Sequence, residues 1–250
     1  MRDFSSTLKH LSPQRRVHHF TNHTRKIFPP SLDYRLHGAT GPLRFQDSSC
    51  MSCYAHVTAD AIGASVWKKT GTFPRFSAQQ IIDCTRPSGN LGCNGGNMPN
   101  AYTYLSNGSG VALESCYPWL GTENNCLDRT LDSSCFTAKL DGFLTIPVND
   151  EEALVSALID YGPIGVGINA KHWSFGHYQS GIYSPSKCAP SSVSHAMLLV
   201  GYDVDPETGT KYWILKNTWG ERWGVDGYIS SISYSFSSPH PNPNNIHRTH

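Results

Sequence analysis

Eight cysteines in a chain of 250 residues constrain this sequence more than any other feature. They stand at Cys50, Cys53, Cys84, Cys93, Cys116, Cys126, Cys135 and Cys188. Thiols at this density belong to an oxidising compartment, where disulfides form and persist. Cys50 and Cys53 form a C-x-x-C pair, which alone reads as a redox couple or as half a zinc site with His56. The βαβ pattern that flanks a redox couple is absent, so neither reading explains the rest of the chain.

No apolar run approaches the roughly 18 residues that cross a membrane, so no membrane association is expected. The formal net charge is +1, which gives no reason to expect nucleic acid or an acidic surface as a partner. Charged residues make up only 16%, while glycine (22) and proline (16) are plentiful. That balance suits a loop-rich globular chain and argues against a helical bundle. A monomer without cofactor or metal is expected.

Residues 1–28 carry Arg15, Arg16, His18, His19, Arg25 and Lys26, and read as a basic flexible arm or propeptide remnant. They lack the continuous apolar stretch of a signal peptide. Pro29-Pro30 opens the compact part, expected over 29–232. A helix begins at Cys53, with Tyr54, Val57, Ala61, Ile62 and Val66 near helical spacing, Ser52 as N-cap and Gly71 as stop. A second starts at Ser77-Ala78-Gln79-Gln80, and a third runs from Asn149 or Asp150 to Gly162-Pro163. Strands are predicted at Ile164–Ile168, His195–Tyr202, Lys211–Lys216 and Gly227–Ile232. The expected class is α+β, mainly helical over about 29–140 and mainly β over about 141–232, with a cleft between the halves. Residues 233–250 form a divergent polar tail with too little apolar content to fold alone.

A thiol becomes a strong nucleophile as thiolate, which a helix N-terminus and a neighbouring imidazolium both favour. Cys53 stands at the start of the first predicted helix. The strand from His195 and the strand ending at Lys216-Asn217 flank a polar turn. A hairpin folding near Pro206 or Glu207 brings His195 opposite residues near Asn217, a base beside an amide that can orient it. Patterning alone does not place Cys53 against that pair.

Five blocks in order do. Pro30-Ser31-Leu32-Asp33-Tyr34-Arg35, Cys50-Met51-Ser52-Cys53-Tyr54-Ala55, Gly92-Cys93-Asn94-Gly95-Gly96, Ser194-His195-Ala196 and Lys216-Asn217-Thr218-Trp219-Gly220 with Trp223-Gly224 resemble the papain-like cysteine peptidases of the cathepsin group. His195 follows Cys53 within the roughly 130–150 residues usual for this family, and Asn217 lies beyond that range. The resemblance implies a two-subdomain fold, a helical left half and a β-barrel-like right half with the active site between. It implies peptide-bond hydrolysis through an acyl-enzyme on Cys53, with His195 as base and Asn217 as its orienting group. Gln46 and the Cys53 N–H would meet the oxyanion, and Trp219 would shield the His195–Asn217 bond. Gly95, Gly96 and Ser194 would line the path of an extended protein or peptide substrate. It also implies disulfides Cys50–Cys93 and Cys84–Cys126, with Cys116–Cys135 as a third, and a lysosomal or extracellular setting.

Departures from the family pattern keep two other readings open. Asp47-Ser48-Ser49 holds one residue more than usual between Gln46 and Cys50, Met51 replaces a glycine and Tyr54 a tryptophan. Met51 is expected to narrow the cleft on the leaving-group side. No cysteine follows Cys188, whose family counterpart is paired. A catalytically impaired homologue that binds extended peptides is the first alternative, and thiol–disulfide exchange by Cys50 and Cys53 the second.

Overall fold

A computed structural model describes residues 17–19, 27–108, 110–185, 192–232, 238–241 and 246–247. In chain order the strands and helices are β1 (Val17–His19), β2 (Leu32–Asp33), α1 (Cys53–Thr70), α2 (Ala78–Cys84), α3 (Met98–Asn107), β3 (Val111–Ala112), β4 (Phe136–Leu140), β5 (Phe143–Ile146), α4 (Glu151–Tyr161), β6 (Ile164–Ile168), α5 (Trp173–Gly176), β7 (Ile182–Tyr183), β8 (His195–Val204), β9 (Lys211–Lys216), β10 (Tyr228–Ser231), β11 (Ser238–Pro241) and β12 (Ile246–His247). Among the described residues, no helix is long and apolar enough to cross a membrane.

Helix α1 is buried around its whole circumference from Tyr54 to Val66, where the sequence predicts a single apolar stripe. Its polar residues are satisfied locally: Thr58 donates to the Tyr54 carbonyl at 2.7 Å and Ser65 to that of Ala61 at 3.0 Å. Ser77 caps α2 by accepting from the Gln80 N–H, and Asp150 caps α4 by accepting from the Ala153 N–H. Helix α3 is absent from the sequence prediction. Asn97 is its N-cap, and Met98, Ala101, Tyr102 and Leu105 form its buried stripe.

Strand β8 is the wall between the halves. Ala196, Leu198 and Val200 join the core built by α1, α2 and α3, while Met197 and Leu199 join the core of α4, β6 and β9. Burial on both faces explains its continuous apolar run. It pairs antiparallel with β6 and β9, and near its end with β2, in a six-stranded sheet completed by β10 and β7. The turn between β8 and β9 is closed by Asp205, whose N–H donates to the Thr210 carbonyl at 2.9 Å.

The two polar ends borrow partners from the body. β1 pairs parallel and β11 antiparallel with β5, and β12 pairs with β4. The rest of the basic arm lies outside the described residues.

Disulfides join Cys50 to Cys93, Cys84 to Cys126 and Cys116 to Cys135. A buried ion network ties α1 to β9. Asp60 takes Arg44 Nε at 2.6 Å on one oxygen and Lys216 Nζ at 2.9 Å on the other. Arg44 also reaches Glu114 at 2.8 Å, and Lys216 donates to the Thr40 and Pro42 carbonyls at 2.6 and 2.7 Å.

Candidate active site

Cys53 is the first residue of α1 and the one cysteine outside a disulfide among the described residues. Cys188 lies outside them. Thiol–disulfide exchange by Cys50 and Cys53 is corrected here, because Cys50 is bonded to Cys93. The half zinc site fails for the same reason, and His56 instead packs at a tilt against Trp119, with ring centroids 4.4 Å apart. Cys84, Cys126 and Asp128 are close enough to ligate a metal, but the two sulfurs are bonded to each other.

Ser52 occupies the N-cap position without capping the helix, contrary to the sequence expectation. Its hydroxyl turns back to the Cys50 carbonyl at 3.2 Å. The amides at the helix tip therefore serve the sulfur. Burial pushes the Cys53 thiol above its ordinary pKa, and the backbone N–H groups of Ala196, Tyr54 and Cys53 itself pull against that rise. The Ala196 amide belongs to β8, so the tip of α1 meets the β half beside His195.

His195 is buried, and its Nε2 lies 2.8 Å from Asn217 Oδ1. That Asn217 atom also accepts the Thr218 N–H at 2.8 Å, which identifies it as the amide oxygen. An amide oxygen only accepts, so Nε2 carries the proton and Nδ1 the lone pair. Burial pushes His195 down to about 4, opposed by the bond to Asn217. Moving the proton from thiol to ring turns a neutral pair into thiolate and imidazolium, each of which lowers the burial cost of the other. Trp219 covers the imidazole at 4.9 Å between ring centroids, and Phe175 meets it edge-on at 6.1 Å. Trp223 lies 5.4 Å from Trp219 and completes this aromatic wall.

Gln46 is anchored to Thr218, the residue after Asn217. Its backbone N–H donates to the Thr218 carbonyl at 2.7 Å, and its side-chain oxygen accepts from the Thr218 hydroxyl at 2.7 Å. The insertion is absorbed in a turn where Asp47 accepts from the Ser49 N–H and hydroxyl, both at 2.8 Å. The side-chain nitrogen of Gln46 faces the Cys50 carbonyl at 3.5 Å.

A cleft of about 510 Å³ opens beside Cys53 and His195, between the glycine segment and β8. Gly95, Gly96 and Ser194 line it, whereas Trp219 contributes through His195 alone. The two glycines are needed for different reasons. Gly95 has φ of +104° and an open face. A Cβ on Gly96 would fall 2.8 Å from Cζ of Tyr54, so packing excludes a side chain there. Met51 lines the same cleft as Gly95 and Gly96. Sequence reasoning misses Met98, Ile146, Val148 and Val193, which form the apolar part of the lining. They come from separate segments and carry no motif, so no pattern in the chain groups them.

This geometry can be set beside known proteins. The description "Papain family cysteine protease" matches residues 28–237. Cathepsin L of Sarcophaga peregrina is 38% identical over 201 residues, covering 80% of this chain and 58% of that protein. Human cathepsin L2 is 37% identical over 203 residues, covering 80% and 60%. Among solved structures, digestive procathepsin L 3 of Tenebrio molitor larval midgut superposes with a TM-score of 0.77 at 32% identity, covering 87% of this chain and 71% of that one. The chain thus spans less than two thirds of the length of these curated relatives. Sequence, topology and the Cys53 thiol beside a paired histidine agree: the chain belongs to the papain family of cysteine proteases.

Proposed function

We propose that the chain hydrolyses peptide bonds in extended protein substrates through an acyl-enzyme on Cys53. One observation carries this reading. The only free thiol among the described residues meets the first amide of β8 after His195, whose ring is held at 2.8 Å by Asn217. In the proposed sequence, His195 Nδ1 takes the thiol proton as sulfur attacks the substrate carbonyl carbon. The tetrahedral oxyanion is met by the Cys53 N–H and the Gln46 side-chain N–H groups. Collapse breaks the C–N bond, and the imidazolium returns its proton to the departing amine. Water, deprotonated by the same ring, then attacks the thioester and restores the free thiol. Gly95 and Gly96 offer bare backbone to an extended peptide, whose side chains meet Met98, Ile146 and Val193. The three disulfides support a lysosomal or extracellular setting.

An epoxide that alkylates papain-like thiols tests the reading. Stoichiometric labelling of Cys53, with loss of hydrolysis of short fluorogenic peptides, is the expected result. Folded, disulfide-intact protein that neither labels nor hydrolyses would leave only a peptide-binding homologue. Gln46→Ala is expected to lower kcat by about 10²–10³ with little change in KM, as loss of one oxyanion donor does. Steady-state kinetics on one peptide measure both constants.

A further inference from the structure

We propose that Tyr54 is a positioning residue: it holds the glycine segment where an extended peptide needs it, and so sets substrate affinity through its neighbours. This rests on the hydrolytic reading above. Tyr54 follows the nucleophile on α1 and is 1% exposed. Its N–H is among the amides that act on the Cys53 sulfur. Its side chain serves a different element, because the hydroxyl donates to the Gly92 carbonyl at 3.0 Å. Burial pushes that hydroxyl above its ordinary pKa, so it remains a donor at any working pH. The ring packs against Gly96, where a Cβ would fall 2.8 Å from Cζ.

Asn90, also buried, supports the far end of the segment. Its Oδ1 accepts the Asn97 N–H at 2.8 Å, and its Nδ2 donates to the Thr85 hydroxyl at 2.9 Å. The Leu91 N–H closes the loop by donating to the Gly95 carbonyl at 2.9 Å. Gly95 and Gly96 have no side chains of their own to anchor them, so these neighbours set their place in the cleft. Without the Tyr54 hydroxyl, the Gly92 carbonyl would be left with the Gly95 N–H at 3.4 Å, a long bond that loads the glycine to be held still. One such buried hydrogen bond amounts to about twofold to tenfold in an equilibrium constant.

The test compares the native chain with Tyr54→Phe, which keeps the ring and deletes the hydroxyl. Steady-state kinetics on one peptide give KM and kcat, and the rate of alkylation by iodoacetamide reports on the nucleophile without an extended substrate. The expected result is a KM raised about twofold to tenfold, with kcat and the alkylation rate unchanged. A fall in kcat or in alkylation as large as the change in KM would place the effect at the nucleophile and overturn the proposal. No change in any of the three would overturn it too, while hydrolysis stands. Gly96→Ala covers the case in which Tyr54→Phe does not fold. Gly96 is exposed, and its added Cβ would meet Tyr54 Cζ at 2.8 Å and Asn90 Oδ1 at 2.5 Å, forcing the segment off both supports. Its KM should rise as well, and a native KM there would overturn the proposal. A native chain that is neither alkylated at Cys53 nor able to hydrolyse peptide would overturn the hydrolytic reading and this one with it.

Discussion

Asp60→Asn is expected to destabilise the fold by about 3–5 kcal/mol, the range for breaking a buried ion pair on one side. Asp60 is 3% exposed and serves two cations. Burial alone would raise its carboxyl, but Arg44 and Lys216 hold it below the ordinary carboxylate range. Lys216, by contrast, is pulled below its ordinary value by burial, since Asp60 is shared with Arg44, which repels it. Asparagine keeps the shape and removes the charge. Lys216 can then shed its proton, whereas Arg44, buried and left among the described residues with Glu114 as its one carboxylate partner beside the Phe76 carbonyl, cannot. Because Lys216 precedes Asn217 on the chain, the variant is also expected to lower kcat. Denaturant unfolding with disulfides intact measures the first effect. A loss below about 1 kcal/mol would show that the network contributes little beyond its own desolvation.

The second large effect is acid lability. His56 is 2% exposed, and neither ring nitrogen has a hydrogen-bond partner among the described residues. Burial, aided by the nearby Arg44, pushes its pKa from 6.5 to about 3, with Asp60 opposing. His195 is held to about 4, again chiefly by burial. Both are depressed, so the unfolded chain binds protons that the folded chain refuses. Their contribution is fully present above pH 6.5 and is lost as pH falls toward 4 and then 3. Each histidine removes about 1.4 kcal/mol per pH unit across its window. Buried Asp60 adds to the loss only at lower pH, because its unfolded value is near 3.8. His56→Phe retains an aromatic ring against Trp119 and removes one titration. Its stability should fall less steeply between pH 6.5 and 4, by the equivalent of one proton. Parallel slopes for variant and native protein, from unfolding curves across that range, would remove His56 from the account.

Much of the local structure was legible in the chain. Ser77 and Asp150 cap their helices as their positions suggest, because a cap needs only a short side chain and the next turn of backbone. The apolar run after His195 and the return through Lys216 form the predicted hairpin, for antiparallel pairing across one turn is also a local matter. Helix α3 was not legible, since Asn97 and Pro99 favour turns and helix starts alike, and only burial of Tyr102 and Leu105 decides between them. Ser52 shows the opposite error. The residue type suits a cap, but the Cys50 carbonyl competes for its hydroxyl.

By itself, then, the chain determined its helix starts, its central hairpin and the adjacency of His195 and Asn217, all set by contacts between near neighbours. The family blocks added Cys53 to that pair by resemblance. Only the tertiary structure decided that the sulfur meets the Ala196 amide, that Gln46 is tethered by Thr218, and that Met51 and Gly95 line one cleft. It alone decided that one carboxylate of α1 holds cations from two distant segments. Such contacts join residues far apart in sequence, and their energies depend on burial and distance, quantities that exist only once the chain has closed on itself.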